Sequence, residues 1–498
     1  MTTRAFQITL VMLLLVNDAR AVTVSAPFDV IGSSAPVSTT TCIREVEPIL
    51  TRVNRESAIW LFAAHGLNTV STTIGTWNNW NKDMTAPDAN TPFWIDQSGV
   101  NRLVGDAWST FSEDNNLVYS TFIGHATETS ASCLAIGATS PEDIPSERWD
   151  YPATCAVNAS TDHPIITFDN FPNAPALFAV SNPLTGNVRV DAFVPCNPGQ
   201  PGVAGGGCAR SATTAFTLSQ NHYDAAVNHC SGNLLVAYRE GGTNDIRLLS
   251  LHRSTLAPLT NPTKGFLVMA SQTWSGFSGP MNTGCGSGSI RRCKLGTTDC
   301  AGVGTANSCQ RVFGGPQIVV EPHNNFDCYA AVSWDVFVSD AGGNLWSRSR
   351  IAILKVTNDS SPTIVRSQIS NGNPNSQWND YFSQVVAAPD NDSLGWFWVT
   401  DTWGACSLFM AGGIDSNFGI ASFTGTGKFP SYTWPAAHTT TPPISDYWKG
   451  TGRGTKLYPV WNEATATSAT CSWGTCDHDS NGTATTFNIA AKMVEVTP

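Results

Sequence analysis

Charge is scarce in this chain. Only 13% of its 498 residues are charged, and 27 Lys+Arg stand against 38 Asp+Glu for a formal net charge of −11. A disordered chain needs high charge and few aromatics, and this one has 17 Trp and 23 Phe. No basic surplus is available to neutralise phosphates, so nucleic acid is excluded as a partner. Good helix formers such as Lys and Glu are few, while 42 Gly and 29 Pro interrupt any long helix. No apolar run reaches the roughly 20 residues of a membrane span. Serine nucleophile elbows, phosphate loops and HExxH zinc motifs are absent as well. What remains is a turn-rich, strand-rich, all-β chain large enough for an ample core.

The amino terminus reads as an export signal over residues 1–21. Arg4 gives a positive start, Ile8 to Val16 is a short apolar stretch, and Ala19-Arg20-Ala21 is a small-x-small cleavage site. The mature chain would then begin near Val22 and be secreted as a single domain over 22–498. Fourteen cysteines, an even count, fit an oxidising compartment. The expected local pairs are Cys133 with Cys155, Cys196 with Cys208 and Cys471 with Cys476. Cys285, Cys293, Cys300 and Cys309 lie too irregularly for a structural zinc site and are read as further disulfides. No metal or other cofactor is expected. Asp477-His478-Asp479 opens like an oxygen-ligand calcium loop, but Asn488 stands where the bidentate Glu would be, so a polar turn is expected there. Asn158, Asn358, Asn391 and Asn481 head glycosylation sequons, the mark of a glycoprotein in a eukaryotic source.

The chain repeats itself. Seven segments share a polar or Gly start, a β-type run, a turn and an aromatic-rich strand. They begin at Ser57, Gly105, Asp162, His222, Gly314, Asp380 and Asp446. Asp114-Asn115-Asn116, Ser231-Gly232-Asn233, Asn324-Asn325 and Asp390-Asn391-Asp392 supply the tight turns. Most starts recur about 60 residues apart, room for four strands and their connections. The exception holds a Gly- and Cys-rich insertion at about 276–310. Seven such sheets set radially make a β-propeller with the unit starts innermost and the aromatic strands packing between blades. The strand-like TTFNIAAKMVEV and the amino-terminal residues would complete the last blade. A six-bladed ring with residues 42–80 as closure is the alternative.

The segments GDAW…NNLVYSTF, DHPIITFD…LFAVS and SDYWKG…KLYPVWNE resemble the sialidase-like propellers with bacterial-neuraminidase repeats. The family's Asp box, Ser-x-Asp-x-Gly-x-Thr-Trp, is degraded here. Ser339 to Trp346 keeps the Ser, Gly and Trp but misplaces the Asp, and Ser71 to Trp77 has no Asp. The resemblance implies a secreted, carbohydrate-active protein, most like a sialidase-type glycoside hydrolase, with an extracellular glycan or polysaccharide as partner. A polysaccharide lyase using His and Tyr, and a non-catalytic glycan- or protein-binding propeller, are the alternatives.

Propeller ligands usually meet the mouth where inner strands start. The catalytic candidates there are Asp106, His222, Tyr223, Asp380, Tyr381, Asp446 and Tyr447. A sialidase-type site needs an activated Tyr, an Asp as acid or base, and clustered Arg for the sugar carboxylate. The substrate-binding candidates are therefore Arg102, Arg311 and Arg453, with Asp162, His163, Trp378 and Trp448 beside them. Asn221-His222-Tyr223-Asp224 is the densest group of proton-transfer residues. On a regular strand, however, His222 and Asp224 face one side and Tyr223 the other. Asp residues at repeated strand starts also serve simply to tie down backbone amides.

Overall fold

The computed structural model describes residues 22–25, 28–29, 43–52, 60–68, 74–81, 102–125, 132–141, 150–157, 161–169, 176–182, 187–195, 210–217, 223–240, 243–260, 264–270, 315–323, 327–339, 341, 345–370, 380–388, 393–400, 407–415, 424–433, 448–466 and 487–498. These residues form thirty strands and no helix, hence no helix long and apolar enough to cross a membrane.

The strands are β1 (Thr23–Val24), β2 (Phe28–Asp29), β3 (Ile43–Arg52), β4 (Trp60–Asn68) and β5 (Ile74–Asn81). Blade one follows as β6 (Arg102–Ser112), β7 (Leu117–His125), β8 (Ser132–Thr139) and β9 (Tyr151–Val157). Blade two is β10 (Asp162–Asp169), β11 (Ala176–Asn182), β12 (Asn187–Phe193) and β13 (Arg210–Thr217). Blade three is β14 (Tyr223–Val227), β15 (Leu234–Arg239), β16 (Ile246–Leu251) and β17 (Phe266–Met269). Blade four is β18 (Gln317–His323), β19 (Asp327–Ser339), β20 (Leu345–Lys355) and β21 (Thr363–Ile369). Blade five is β22 (Asp380–Ala388), β23 (Ser393–Thr400), β24 (Ser407–Asp415) and β25 (Thr424–Thr433). The chain ends with β26 (Thr451–Arg453), β27 (Lys456–Tyr458), β28 (Val460–Ala466), β29 (Phe487–Met493) and β30 (Val496–Thr497).

Blade six is assembled from both ends of the chain, in the order β26-β27-β30-β1, with Thr23 opposite Thr497. The seventh sheet carries β3, β4 and β5, joined through β29 to β2 and β28. The first strand of each sheet contacts the first strand of the next: β6 with β10, then β14, β18, β22, β26, β3 and back to β6. That closed cycle is a seven-bladed β-propeller. Residues 43–81 form the blade between six and one, where the Ser57 segment was expected to begin with the innermost strand. The inner strand instead precedes it as β3, and Trp60–Asn68 is the second strand.

Packing explains the composition. Every residue of β15, Leu-Leu-Val-Ala-Tyr-Arg, is buried, because a blade is covered on both faces and strict polar alternation is not required. One apolar core runs through blades one to three and a second joins three to four. A third joins four to five. Tyr119 of β7 stacks on Phe168 of β10 at 5.6 Å with ring planes 4° apart, tying blade one to blade two. Truncating a ring buried like Phe168 costs about 3–5 kcal/mol. Two disulfides are found among the described residues. Cys133–Cys155 joins β8 to β9 as expected, and Cys230–Cys328 ties blade three to blade four. The other expected pairs and the Cys285 to Cys309 group lie outside the described residues.

Four inner strands share a local device. In each, two residues oppose one on the neighbouring strand: Glu47-Pro48 opposite Ala64, Asp106-Ala107 opposite Phe122, His163-Pro164 opposite Ser181, and Phe382-Ser383 opposite Trp398. Proline lacks a ladder donor and is tolerated in a strand where a bulge frees it from pairing. The bulges place His163 at φ 47° and Phe382 at φ 56°, a region side-chain-bearing residues enter only when surroundings hold them there.

Candidate functional site

Several of the described candidates at the strand starts make contacts within the fold. Tyr223 is buried, and its hydroxyl donates to the backbone oxygen of His163 at 2.6 Å. The His163 ring meets Tyr223 edge-on at 5.4 Å and Trp108 at 6.3 Å. Asp162, half-buried, pairs across the blade with Asn182. Trp448 is fully buried and stacks on Phe382 at 4.3 Å. Its backbone oxygen accepts from the Gln317 side-chain amide. Arg453 is half-buried at the end of β26, opposite Lys456.

Asp380 is also buried. Ser370 Oγ donates to its carboxylate at 2.6 Å, and Ser347 Oγ donates to its backbone oxygen at 2.8 Å. Burial pushes its carboxyl above the ordinary value, opposed by hydroxyl donors and by the charge of Arg348. Asp335 of β19 lies in the same cluster. Its Oδ2 accepts from the amide of Phe382 at 2.8 Å, and its Oδ1 from Ser349 Oγ at 2.8 Å. Burial is the larger influence and raises Asp335 to about 7, with hydrogen bonds pulling the other way and the Asp380 charge adding to the rise. The Asp335 carboxylate thus pins the bulge whose Phe382 supports Trp448.

Arg102 and Asp106 lie on β6 and Tyr381 on β22, with side chains outside the described residues. His222, Arg311, Trp378, Asp446 and Tyr447 lie outside them altogether. The structure therefore joins His163, Tyr223 and Trp108 in one group, and Trp448 with the Asp335–Asp380 clamp in another.

A cavity of about 240 Å³ lies on the axis. All seven inner strands contribute to its wall, among them Thr51, Trp108, Thr167, Ala226, Glu321, Ala387 and Thr451. It sits toward the carboxyl halves of five of these strands, while β18 lines it from its second residue and β26 from just before its start. Arg52, which lines it, ends β3, whereas Asp162 and Asp380 begin their strands. Lys449 leads into β26 and crosses the ring to β14, where its Nζ lies 2.6 Å from Asp224 Oδ2 and 5.1 Å from the centre of the Trp108 ring. The same Asp224 oxygen accepts from the Ile318 amide at 2.9 Å. Thr51 and Ser109 hydroxyls meet at 2.7 Å on the opposite wall. Arg52 pairs with Glu113 at 3.3 Å.

Tyr223 and Asp224 do point opposite ways, one to blade two and the other to blade four, as strand alternation requires. Lys449, Trp108 and Glu321 were missed at the sequence level. A Lys two residues after the Asp-Tyr pair that recurs at Asp380-Tyr381 and Asp446-Tyr447, in a chain with so few cations, was the available signal.

No family model matches the chain, and no curated protein does. Solved structures match the chain at low similarity. The six-bladed fucose-binding lectin of the fungus Aleuria aurantia is 8% identical over 79% of this chain and 96% of its own, at a TM-score of 0.37. The Trypanosoma rangeli sialidase is 12% identical over 80% of this chain and 59% of its own, also at 0.37. A glycosyl hydrolase from Bacteroides ovatus is 10% identical over 64% of this chain and 83% of its own, at 0.29. The propeller assignment rests on the closed cycle of inner strands and the pairing within each blade.

Proposed function

We propose that this chain is a secreted, glycan-binding β-propeller whose axial cavity holds one sugar residue. The observation that carries this reading is the division of labour along the inner strands. Three described strand-start candidates are engaged within the fold: the Tyr223 hydroxyl on a backbone oxygen, Asp380 inside a buried clamp, Trp448 beneath Phe382. The hydroxyl- and aromatic-lined cavity lies toward the other end of the Tyr223 and Asp380 strands, at Ala225–Val227 and Ala387. Its volume of about 240 Å³ is at or below the lower end for small-molecule pockets, suited to a monosaccharide unit and not to an extended chain. Wall hydroxyls from Thr51, Ser109, Thr167 and Thr451 with the Trp108 ring offer the mix of hydrogen bonding and apolar contact that a sugar presents in return.

Of the residues expected from sequence to carry hydrolysis of the sialidase type, Tyr223 and Asp380 are committed elsewhere. Export is in keeping with the two disulfides. The test is equilibrium binding of a glycan panel to the wild-type chain and to Thr167→Trp, which fills the cavity. Binding that the substitution abolishes, with no glycosidic bond cleaved, is expected. Absence of binding, binding indifferent to Thr167→Trp, or turnover of a glycoside would overturn the reading.

A further inference from the structure

Among the sequons, Asn358-Asp359-Ser360 falls within the described residues, while Asn158, Asn391 and Asn481 lie outside them. It occupies the loop from β20 to β21, in the outer half of blade four. Asn358 and Ser360 are exposed, whereas Asp359 between them is buried. The Asp359 carboxylate accepts from the side-chain amides of Asn228 at 2.5 Å and Asn233 at 2.6 Å, both in the segment joining β14 to β15. The middle residue thus anchors the loop to blade three and leaves the outer two at the surface. Asn358 Oδ1 accepts from the Ser360 amide at 3.1 Å and from Ser360 Oγ at 2.8 Å. Those contacts fix which end of the amide is which, because only oxygen can accept from a backbone N–H. The Asn358 Nδ2 has no hydrogen-bond partner among the described residues.

We propose that Asn358 is a site of N-linked glycosylation, an inference that rests on the export of the chain and not on the axial sugar site. The reaction joins Nδ2 to the anomeric carbon of an oligosaccharide carried on a polyisoprenyl pyrophosphate, in a eukaryotic secretory pathway. The new C–N bond replaces the anomeric C–O bond. The lipid pyrophosphate leaves with the bonding pair, and the amide gives up one proton. The nitrogen without a partner is the atom this transfer needs, and the oxygen is held by the hydroxyl that the sequon requires. Both contacts lie within three consecutive residues, so they can form in the emerging chain before any blade assembles. The fold must then leave room for a bulky, solvated group. An exposed Asn on a surface loop whose neighbour is pinned beneath it meets that demand.

The full chain, export signal included, would be expressed in cultured mammalian cells and recovered from the medium. Peptide N-glycosidase in heavy-oxygen water leaves a labelled Asp wherever an Asn carried a glycan, and peptide mass mapping locates the label. Label at Asn358 is expected in most of the secreted chain. Asn358→Gln and Ser360→Ala should each lose the mass of one glycan, and Ser360→Thr should keep it. A secreted chain whose Asn358 stays unlabelled overturns the site and leaves export standing. A chain that remains in the cytosol with its signal uncleaved overturns export and the site together. Label at Asn358 that survives Ser360→Ala overturns the role given to the hydroxyl.

Discussion

Lys449 and Asp224 meet at 2.6 Å across the axis of the ring, although 225 residues separate them in sequence. The pair links blade six to blade three, and Asp224 also accepts the amide of Ile318 in blade four. Three blades therefore converge on one buried carboxylate beneath the cavity.

Breaking that crossbar should be costly. Removing one partner of a buried ion pair leaves an uncompensated charge, a loss of about 3–5 kcal/mol. Lys449→Met and Asp224→Asn are each expected to lower stability by about 3 kcal/mol, and the double variant by less than their sum. Urea unfolding of the four proteins measures the coupling; strict additivity would show that the contact contributes nothing.

A glycine holds blade six against blade five. A Cβ on Gly452 would lie 1.6 Å from the Ala387 backbone oxygen, an overlap that no side-chain adjustment relieves. Gly452→Ala should therefore cost more than about 4 kcal/mol, in the range reserved for severe core overpacking. A soluble variant with wild-type melting temperature would show that β26 and β22 do not approach in this way.

The Asp335 clamp predicts a pH dependence. Its carboxyl is held at about 7 in the folded chain, against 3.8 for the free side chain. The folded state thus binds this proton more tightly, and the group's contribution to stability falls as pH rises from about 4 through 7. Asn at 335 keeps an oxygen for the Phe382 amide and cannot ionise. Stability of Asp335→Asn relative to wild type should improve between pH 5 and pH 8. Equal differences at the two pH values would remove the titration from Asp335.

The two disulfides should differ in worth. Cys230–Cys328 spans 98 residues and Cys133–Cys155 spans 22. Loop-closure entropy gives the longer span the larger effect, about 4–5 against about 3 kcal/mol. Replacing both cysteines of each pair by Ala and comparing unfolding midpoints ranks them. A greater loss for the Cys133–Cys155 removal would contradict the entropic ordering.

Much of the ring was legible in the sequence because each blade repeats a local pattern. Asn116 and Gly232 sit at positive φ in the turns where Asn and Gly pointed to them. The inner strand of the blade between six and one was not legible, since Ile43–Arg52 carries charges and Pro48 where an apolar run was sought, and only the bulge accommodates that proline. The Cys230–Cys328 link and the Lys449–Asp224 crossbar were hidden for another reason. Contacts between blades join residues far apart in sequence, and no spacing rule connects them. Polar residues at the strand starts were found by their repetition, and Tyr223 and Asp380 among them are buried and hydrogen-bonded within the fold. At Tyr223 and Asp380, the groups that suggested a reaction hold the His163 backbone oxygen and the Ser370 hydroxyl instead.

The most direct test is the structure of the chain crystallised with the sugar that binds most tightly. Density for one sugar ring in the axial cavity is expected, within hydrogen-bonding distance of Lys449 and against Trp108. A sugar seated at the strand-start face beside His163, or in a cleft between blades with the axis empty, would contradict it.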